Sequence, residues 1–340
     1  MTDSPRPVPS IKPRHFPPPP PLVQKTPGLW RRTPPAIFSP VMGMFGLGLS
    51  WRNLALQPGM APLQPVGEAI LGAVLLLYAF ALVAWLSKPL RRPGVVMEEL
   101  AVLPGRAGTV AMVLSFILAG AALRPYAPDL AFWMAVGGMG ALALVGSLIT
   151  WRVGTGPKEG RGVTPVFHLT YVGYILAPLT LIPLGYVEAS TWILWLTMPA
   201  AALIWLASLR QLIRTIPPAP LRPFMAIHAA PASLFATVSA LLGYQSVALV
   251  FAIVALALMA VMIVKANWLL HSGFSPLWAS LTFPMAAVAS AAIWALGAPG
   301  LWIGAAILAF ATGFIPWITF RVYTMWAKGE LGPKTNAATA

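Results

Sequence analysis

Residues able to do acid–base or metal chemistry are few in this chain, and their placement points away from catalysis. Among 340 residues there are eight Asp and Glu, four His and no Cys. Asp3, Glu98, Glu99, Glu159 and Glu330 fall in tails or basic loops, whereas Glu68, Asp129 and Glu188 fall near the ends of apolar runs. No carboxylate pair, HExxH-type histidine pair or Ser/His/Asp set comes to one depth by helical spacing. Without Cys there is no disulfide framework and no thiolate nucleophile. The chain is therefore expected to be no enzyme and to hold no metal or cofactor. His168 and His228 stand apart, because each lies within an apolar stretch, where an ionisable group is expected to face a bundle interior. They could follow a proton beside an anion path, or sit as neutral imidazoles bonded to a neighbouring helix.

A second constellation is steric. Helical spacing from Phe283 collects Pro276, Ser280, Ala287 and Ser290, while Trp278, Met285 and Val288 fall on other faces. One large ring thus stands on a bare, weakly polar stripe. Such a stripe suits close helix contact or the wall of a narrow pore, and Phe283 is then either a packed aromatic or a plug across that pore. With the glycines of the first apolar run, the candidates to line such a pore are Gly43, Gly46, Ser280, Ala287, Ser290, His168 and His228, with Phe283 as its gate.

The elements that would position these residues are membrane helices. The chain is 58% hydrophobic and 9% charged, with a mean hydropathy of +0.78, beyond what a soluble domain carries. About 20 mostly apolar residues cross about 30 Å of hydrocarbon, and ten such runs can be laid down. They lie near residues 40–56, 65–87, 106–123, 130–151, 165–184, 190–213, 223–242, 246–270, 276–296 and 301–326. Connections alternate between tight turns and longer basic loops, which makes five antiparallel hairpins starting near 40, 106, 165, 223 and 276. Five parallel repeats about an axis normal to the membrane would leave a central space. The expected fold class is an all-α polytopic membrane protein of ten helices in five hairpins around a central pore.

Charge sets the orientation. Of 22 Lys and Arg, only Arg52 and Arg124 fall opposite the remainder, so the positive-inside rule places both termini in the cytoplasm of a plasma (inner) membrane protein. The net charge of +14 lies between apolar runs rather than on a soluble basic face, which argues against a nucleic-acid partner. Residues 1–36, with five consecutive prolines at Pro17 to Pro21, read as a disordered proline-rich cytoplasmic tail. Residues 37–328 form the helical domain, and 329–340 a cytoplasmic C-terminal tail.

The segments PVMGMFGLGLSWR (40–52), LRPFMAIHAAPAS (221–233) and FSPLWASLTFP (274–284) resemble the TehA tellurite-resistance and dicarboxylate-transporter family, which includes plant guard-cell slow anion channels. The resemblance spans residues 36 to 328. It implies five helical hairpins with the odd helices lining the pore, one pore in each protomer of a homotrimer, and a gating phenylalanine at Phe283 of LTFP. A family-like proline is expected before Val172 and Gly173, where this chain has Thr170 and Tyr171. The function implied is a gated channel or transporter for small inorganic or organic anions. The alternatives are a proton-coupled dicarboxylate carrier and a membrane scaffold recruiting partners through its proline-rich tail.

Overall fold

The chain folds as two concentric layers of helices, seen in a computed structural model that describes residues 28–157 and 161–340. Among the described residues there is no β-strand. In chain order the main helical segments are α1 (Phe38–Ala55), α2 (Gln64–Leu86), α3 (Leu103–Leu123), α4 (Pro128–Thr155), α5 (His168–Leu184), α6 (Val187–Arg214), α7 (Ala219–Leu241), α8 (Gln245–Val264), α9 (Pro276–Ala295) and α10 (Gly297–Ala327). Eight of them are long and apolar enough to cross a membrane; α1, at 18 residues, and the shorter α5 are not among them.

Burial separates the layers. Within their most apolar stretches α3 and α7 are 83% buried and α9 67%, whereas α2, α4, α6, α8 and α10 are 17–33% buried. The even helices present Leu76, Trp133, Leu203, Val264 and Phe310 outward, an arrangement stable only if hydrocarbon surrounds it. Inside, α1 packs on α3, α3 on α5, α5 on α7, α7 on α9, and α9 back on α1, so the odd helices close a ring. Each odd helix also packs against the even helix that follows it. Short turns make this possible: Gly185 (φ 92°) and Gly243 (φ 83°) take the left-handed conformation that ends α5 and α7 and reverses the chain within a few residues.

The inner helices are not uniform. α9 begins as a 3-10 helix over Pro276–Leu281 before the α-helix Thr282–Ala295, and α7 as a 3-10 helix over Ala219–His228 before Ala229–Leu241. α1 likewise follows a 3-10 turn at Pro35–Ile37. In all three the α-helical part carries a proline at its third residue, Pro40, Pro231 or Pro284, close to where the 3-10 turn passes into the α-helix. α5 opens with a π-helical turn at His168–Val172 and continues as a 3-10 turn at Gly173–Leu176.

The two ends of the bundle are closed by different chemistry. At one end Arg52 holds Glu68 through two 2.7 Å bonds and caps α3 by donating to the Ala121 and Ala122 carbonyls at 3.0 Å, while Tyr126 donates to Glu68 at 3.0 Å. Arg124 donates to the Leu179 carbonyl at 3.3 Å. Both arginines that depart from the charge asymmetry are therefore committed to internal partners. At the other end Lys88 and Glu99 form a fully buried ion pair, and Lys88 also donates to the Thr33 carbonyl at 3.0 Å.

Residues 1–27 of the expected disordered tail lie outside the described residues, but Thr33, Pro35 and Ala36 are buried, and Thr33 accepts a hydrogen bond from Trp326 at 3.1 Å. Residues 329–340 likewise pack down: Leu331 is fully buried in a short helix, and Arg31 bonds Ala340. Apolar side chains at Ala36, Ile37 and Leu331 win more by burial than proline-rich or polar composition costs.

Candidate functional site

The five inner helices meet on the axis with almost no space between them. Two small cavities lie in line, one of about 10 Å³ and one of about 30 Å³, against the 10–15 Å³ or so that a single water needs. The larger is lined by residues early in their helices, Ser39, Ala107, Ala111, Phe224, Ile227 and Ser280. Later residues line the smaller one: Leu114, Val172, Ile175, Leu176 and Leu234. Met42, Leu169, Ala230 and Phe283 border both, and so form the partition between them. Phe283 is 6% exposed and Met42 3%. No charged side chain lines either cavity among the described residues.

Local structure explains how the ring reaches that partition. A Cβ built on Gly46 would stand 2.9 Å from the Phe283 ring, and one on Gly43 would collide with the Thr282 side chain. Close approach of α1 and α9 through small residues sets the depth of Phe283. Ala230 and Phe283 are each the second residue of an α-helical part and Met42 the fifth. In α1, α7 and α9 the 3-10 segment thus passes into the α-helix beside the axis.

The sequence-derived pore residues divide accordingly. Ser280 and His168 line axial cavities and Phe283 stands in the partition. Gly43 and Gly46 instead form the contact surface for α9. Ser290 is committed to the α1–α9 seam, with Ser50 at 2.7 Å and Asn53 donating at 3.1 Å, and Ala287 is packed in the core beside Phe283. His228 borders a groove between α6, α7 and α8 rather than the axis. Extending an α-helical stripe back from Phe283 through Ser280 to Pro276 fails in its periodicity, because Pro276–Leu281 is a 3-10 helix; Ala279 joins Ser280 at the cavity wall in its place.

The two histidines, sixty residues apart, are joined. His168 Nε2 lies 2.9 Å from His228 Nδ1, with the rings edge to face, and His228 Nε2 lies 3.0 Å from Ser208 Oγ on α6. Trp205 donates to the His228 carbonyl at 3.2 Å and its ring stands 5.3 Å from that of His168. His168 Nδ1 has no partner although the residue is 2% exposed. Met42, Leu169, Ala230 and the Ser208 link carried no signal in helical spacing. The histidine pair carried a weak one, since both rings follow closely on the prolines that open their repeats, Pro165 and Pro223. At the departure noted in α5, Thr170 bonds the Val166 carbonyl at 3.2 Å and Tyr171 turns outward to Thr150 at 2.8 Å, so neither enters the axis.

A comparison with curated proteins gave no match. A family model described as voltage-dependent anion channel matches residues 32–325, a span that runs from the buried Thr33 to the end of α10.

Proposed function

The chain belongs to the SLAC1 family of voltage-dependent anion channels, and from that premise we propose that anions cross along the axis of the inner helices, with Phe283 as the gate. The protein is a multi-pass membrane protein of a channel and transporter family. The observation that carries the finer reading is the partition of Met42, Leu169, Ala230 and Phe283, an apolar constriction between two water-sized cavities. Water does not wet so narrow an apolar neck, and an ion that cannot keep its hydration does not pass. The absence of a charged side chain from the described lining favours a channel for small anions over a carrier that must bind a dicarboxylate.

In this reading α1 and α5 also cross, giving ten spans in five hairpins, both termini lie in the cytoplasm, and each protomer of a homotrimer in the plasma membrane conducts through its own pore. The test is Phe283→Ala in reconstituted liposomes, with anion flux and thermal stability both measured. A gate gives higher basal flux with unchanged selectivity among anions. A merely packed ring gives flat flux and a stability loss of roughly 3–5 kcal/mol. Trp278→Ala is the off-axis control, because Trp278 packs against Phe274 and Trp317.

A further inference from the structure

His168 and His228 serve neither the partition nor any ion pair, yet together with Ser208 they run across the wall of the inner ring. Ser208 Oγ, His228 Nε2, His228 Nδ1 and His168 Nε2 form an unbroken file through bonds of 3.0 and 2.9 Å. Ser208 borders a 390 Å³ cavity that also carries Thr164, Gln211 and Arg214, at the face where α6 ends and the inner helix α7 begins. His168, at the other end of the file, lines the axial cavity that lies beyond Phe283 from that face. Its Nδ1 is buried without a partner.

We propose that Ser208, His228 and His168 form a proton path around the closed constriction, delivering a proton from the cavity at Arg214 to the axial cavity beyond Phe283. The proposal rests on the axial anion path described above. The tautomers that satisfy every bond put a proton on His228 Nδ1, donated to His168 Nε2, and on His168 Nδ1, while Ser208 donates to His228 Nε2. A hydronium in the larger cavity, supplied by acid at that face, gives a proton to Ser208 Oγ and is left as water. Ser208 passes its own proton to His228 Nε2, and the His228 Nδ1–H bond breaks as a His168 Nε2–H bond forms. His168 then carries both ring protons and one positive charge, and an anion on the axis supplies the countercharge. An ion needs the neck to open; a proton moving by bond exchange does not.

The surroundings bear on the sign. Lys265 is the charged group that lines the groove beside His228, and Arg214 the one that lines the cavity at Ser208. α1, α3 and α9 present Met42, Leu114 and Phe283 to the cavity at His168. A charge on His168 is therefore felt on the axis with no carboxylate among the described residues lining that cavity to cancel it. It attracts anions and helps water enter the neck, so acid at the Arg214 face raises anion flux.

The experiment uses the full chain in oriented liposomes, with chloride flux measured while the pH of each face is set separately. Acidifying the Arg214 face is expected to raise flux, with a limiting slope of about tenfold per pH unit for one site, and acidifying the opposite face to do far less. Ser208→Ala should abolish this response and Ser208→Thr, which keeps the hydroxyl, should restore it. A Ser208→Ala protein with the full wild-type response, or a response that arises wholly from the opposite face, overturns the path. Flux through Phe283→Ala at one fixed pH reports on the axial reading separately, so failure of the path leaves that result standing and failure of the gate is visible without any pH change.

Discussion

The partition at Phe283 and the clasp at Lys88 are both buried, and they are opposites in chemistry. At the partition four side chains meet with no charge and no hydrogen bond among them, and the two cavities it separates are small. At the clasp a fully buried ammonium and carboxylate hold Thr33, while the adjacent Arg31 and Arg92 bond Ala340 and Thr339. Burial pulls Lys88 below the usual lysine range and pushes Glu99 above the usual carboxylate range, even though each opposes the other's shift. Apolar contact can be parted and remade at modest cost, since no group is left unpaired when a ring rotates away. A buried ion pair cannot, since either charge alone is stranded. The comparison teaches where motion is cheap: on the axis, not at the face that gathers the chain's two ends.

The largest expected effect falls on the clasp. Glu99→Ala leaves the Lys88 ammonium buried with only the Thr33 carbonyl, and a stability loss of about 3–5 kcal/mol is expected, read as a fall in thermal midpoint in detergent. Flux per folded molecule should be unchanged; a change in flux at constant stability would show that the clasp takes part in gating and would break the contrast.

A smaller effect is expected at Gly46→Ala, which sharpens the other side. The new methyl would stand 2.9 Å from the Phe283 ring and 3.3 Å from the Ala286 methyl, so the ring or the α1–α9 spacing must give. Overpacking of this kind costs about 1–3 kcal/mol. Because the ring is the movable neighbour, Gly46→Ala should shift basal anion flux, whereas Gly67→Ala, which meets α1 backbone at Arg52, should destabilise without touching flux. Equal flux in the two variants would mean the ring does not lie on the conduction path.

That the chain is built of membrane helices was legible from composition, because length, hydropathy and alternating loops are properties of single segments; which helices lie inside was implied only by the family resemblance. The repeat read from the helix starts put five helices about an axis, and α1, α3, α5, α7 and α9 pack in a ring. What escaped the sequence was the backbone of the inner helices. An α-helical period was assumed for α9, but the 3-10 start at Pro276–Leu281 rotates every residue before Thr282. Pro284 allowed that outcome without dictating it. Gly43, Gly46 and Ser290 were expected on the pore for being small or weakly polar, yet the same qualities suit a helix seam, and only tertiary packing decides between them. Met42, Leu169 and Ala230 are ordinary apolar residues whose importance lies in meeting Phe283. The proline-rich run conceals a short apolar stretch at Pro35–Ile37, which is buried.

The smallest expected effect is the most discriminating. If the clasp stabilises the fold only by keeping two charges from being stranded, replacing both at once should cost little, although either alone costs much. Lys88→Met with Glu99→Leu preserves length and apolar volume, removes both desolvation costs, and gives up the hydrogen bond to the Thr33 carbonyl. Buried pairs replaced in this way are often neutral or gain about 1–4 kcal/mol, and the lost bond to Thr33 returns about 1 kcal/mol of that. The double variant is therefore expected to lie between about 1 kcal/mol less and about 3 kcal/mol more stable than the parent. The measurement is a double-mutant cycle on thermal stability, in which the coupling between positions 88 and 99 should be large while the doubly substituted protein melts close to or above wild type. A double variant as unstable as Glu99→Ala would mean that Lys88 is needed for what it does to Thr33 rather than for its partner. The clasp would then be a positional lock on the segment leading into α1, and the helix that carries Met42 to the axis would depend on it.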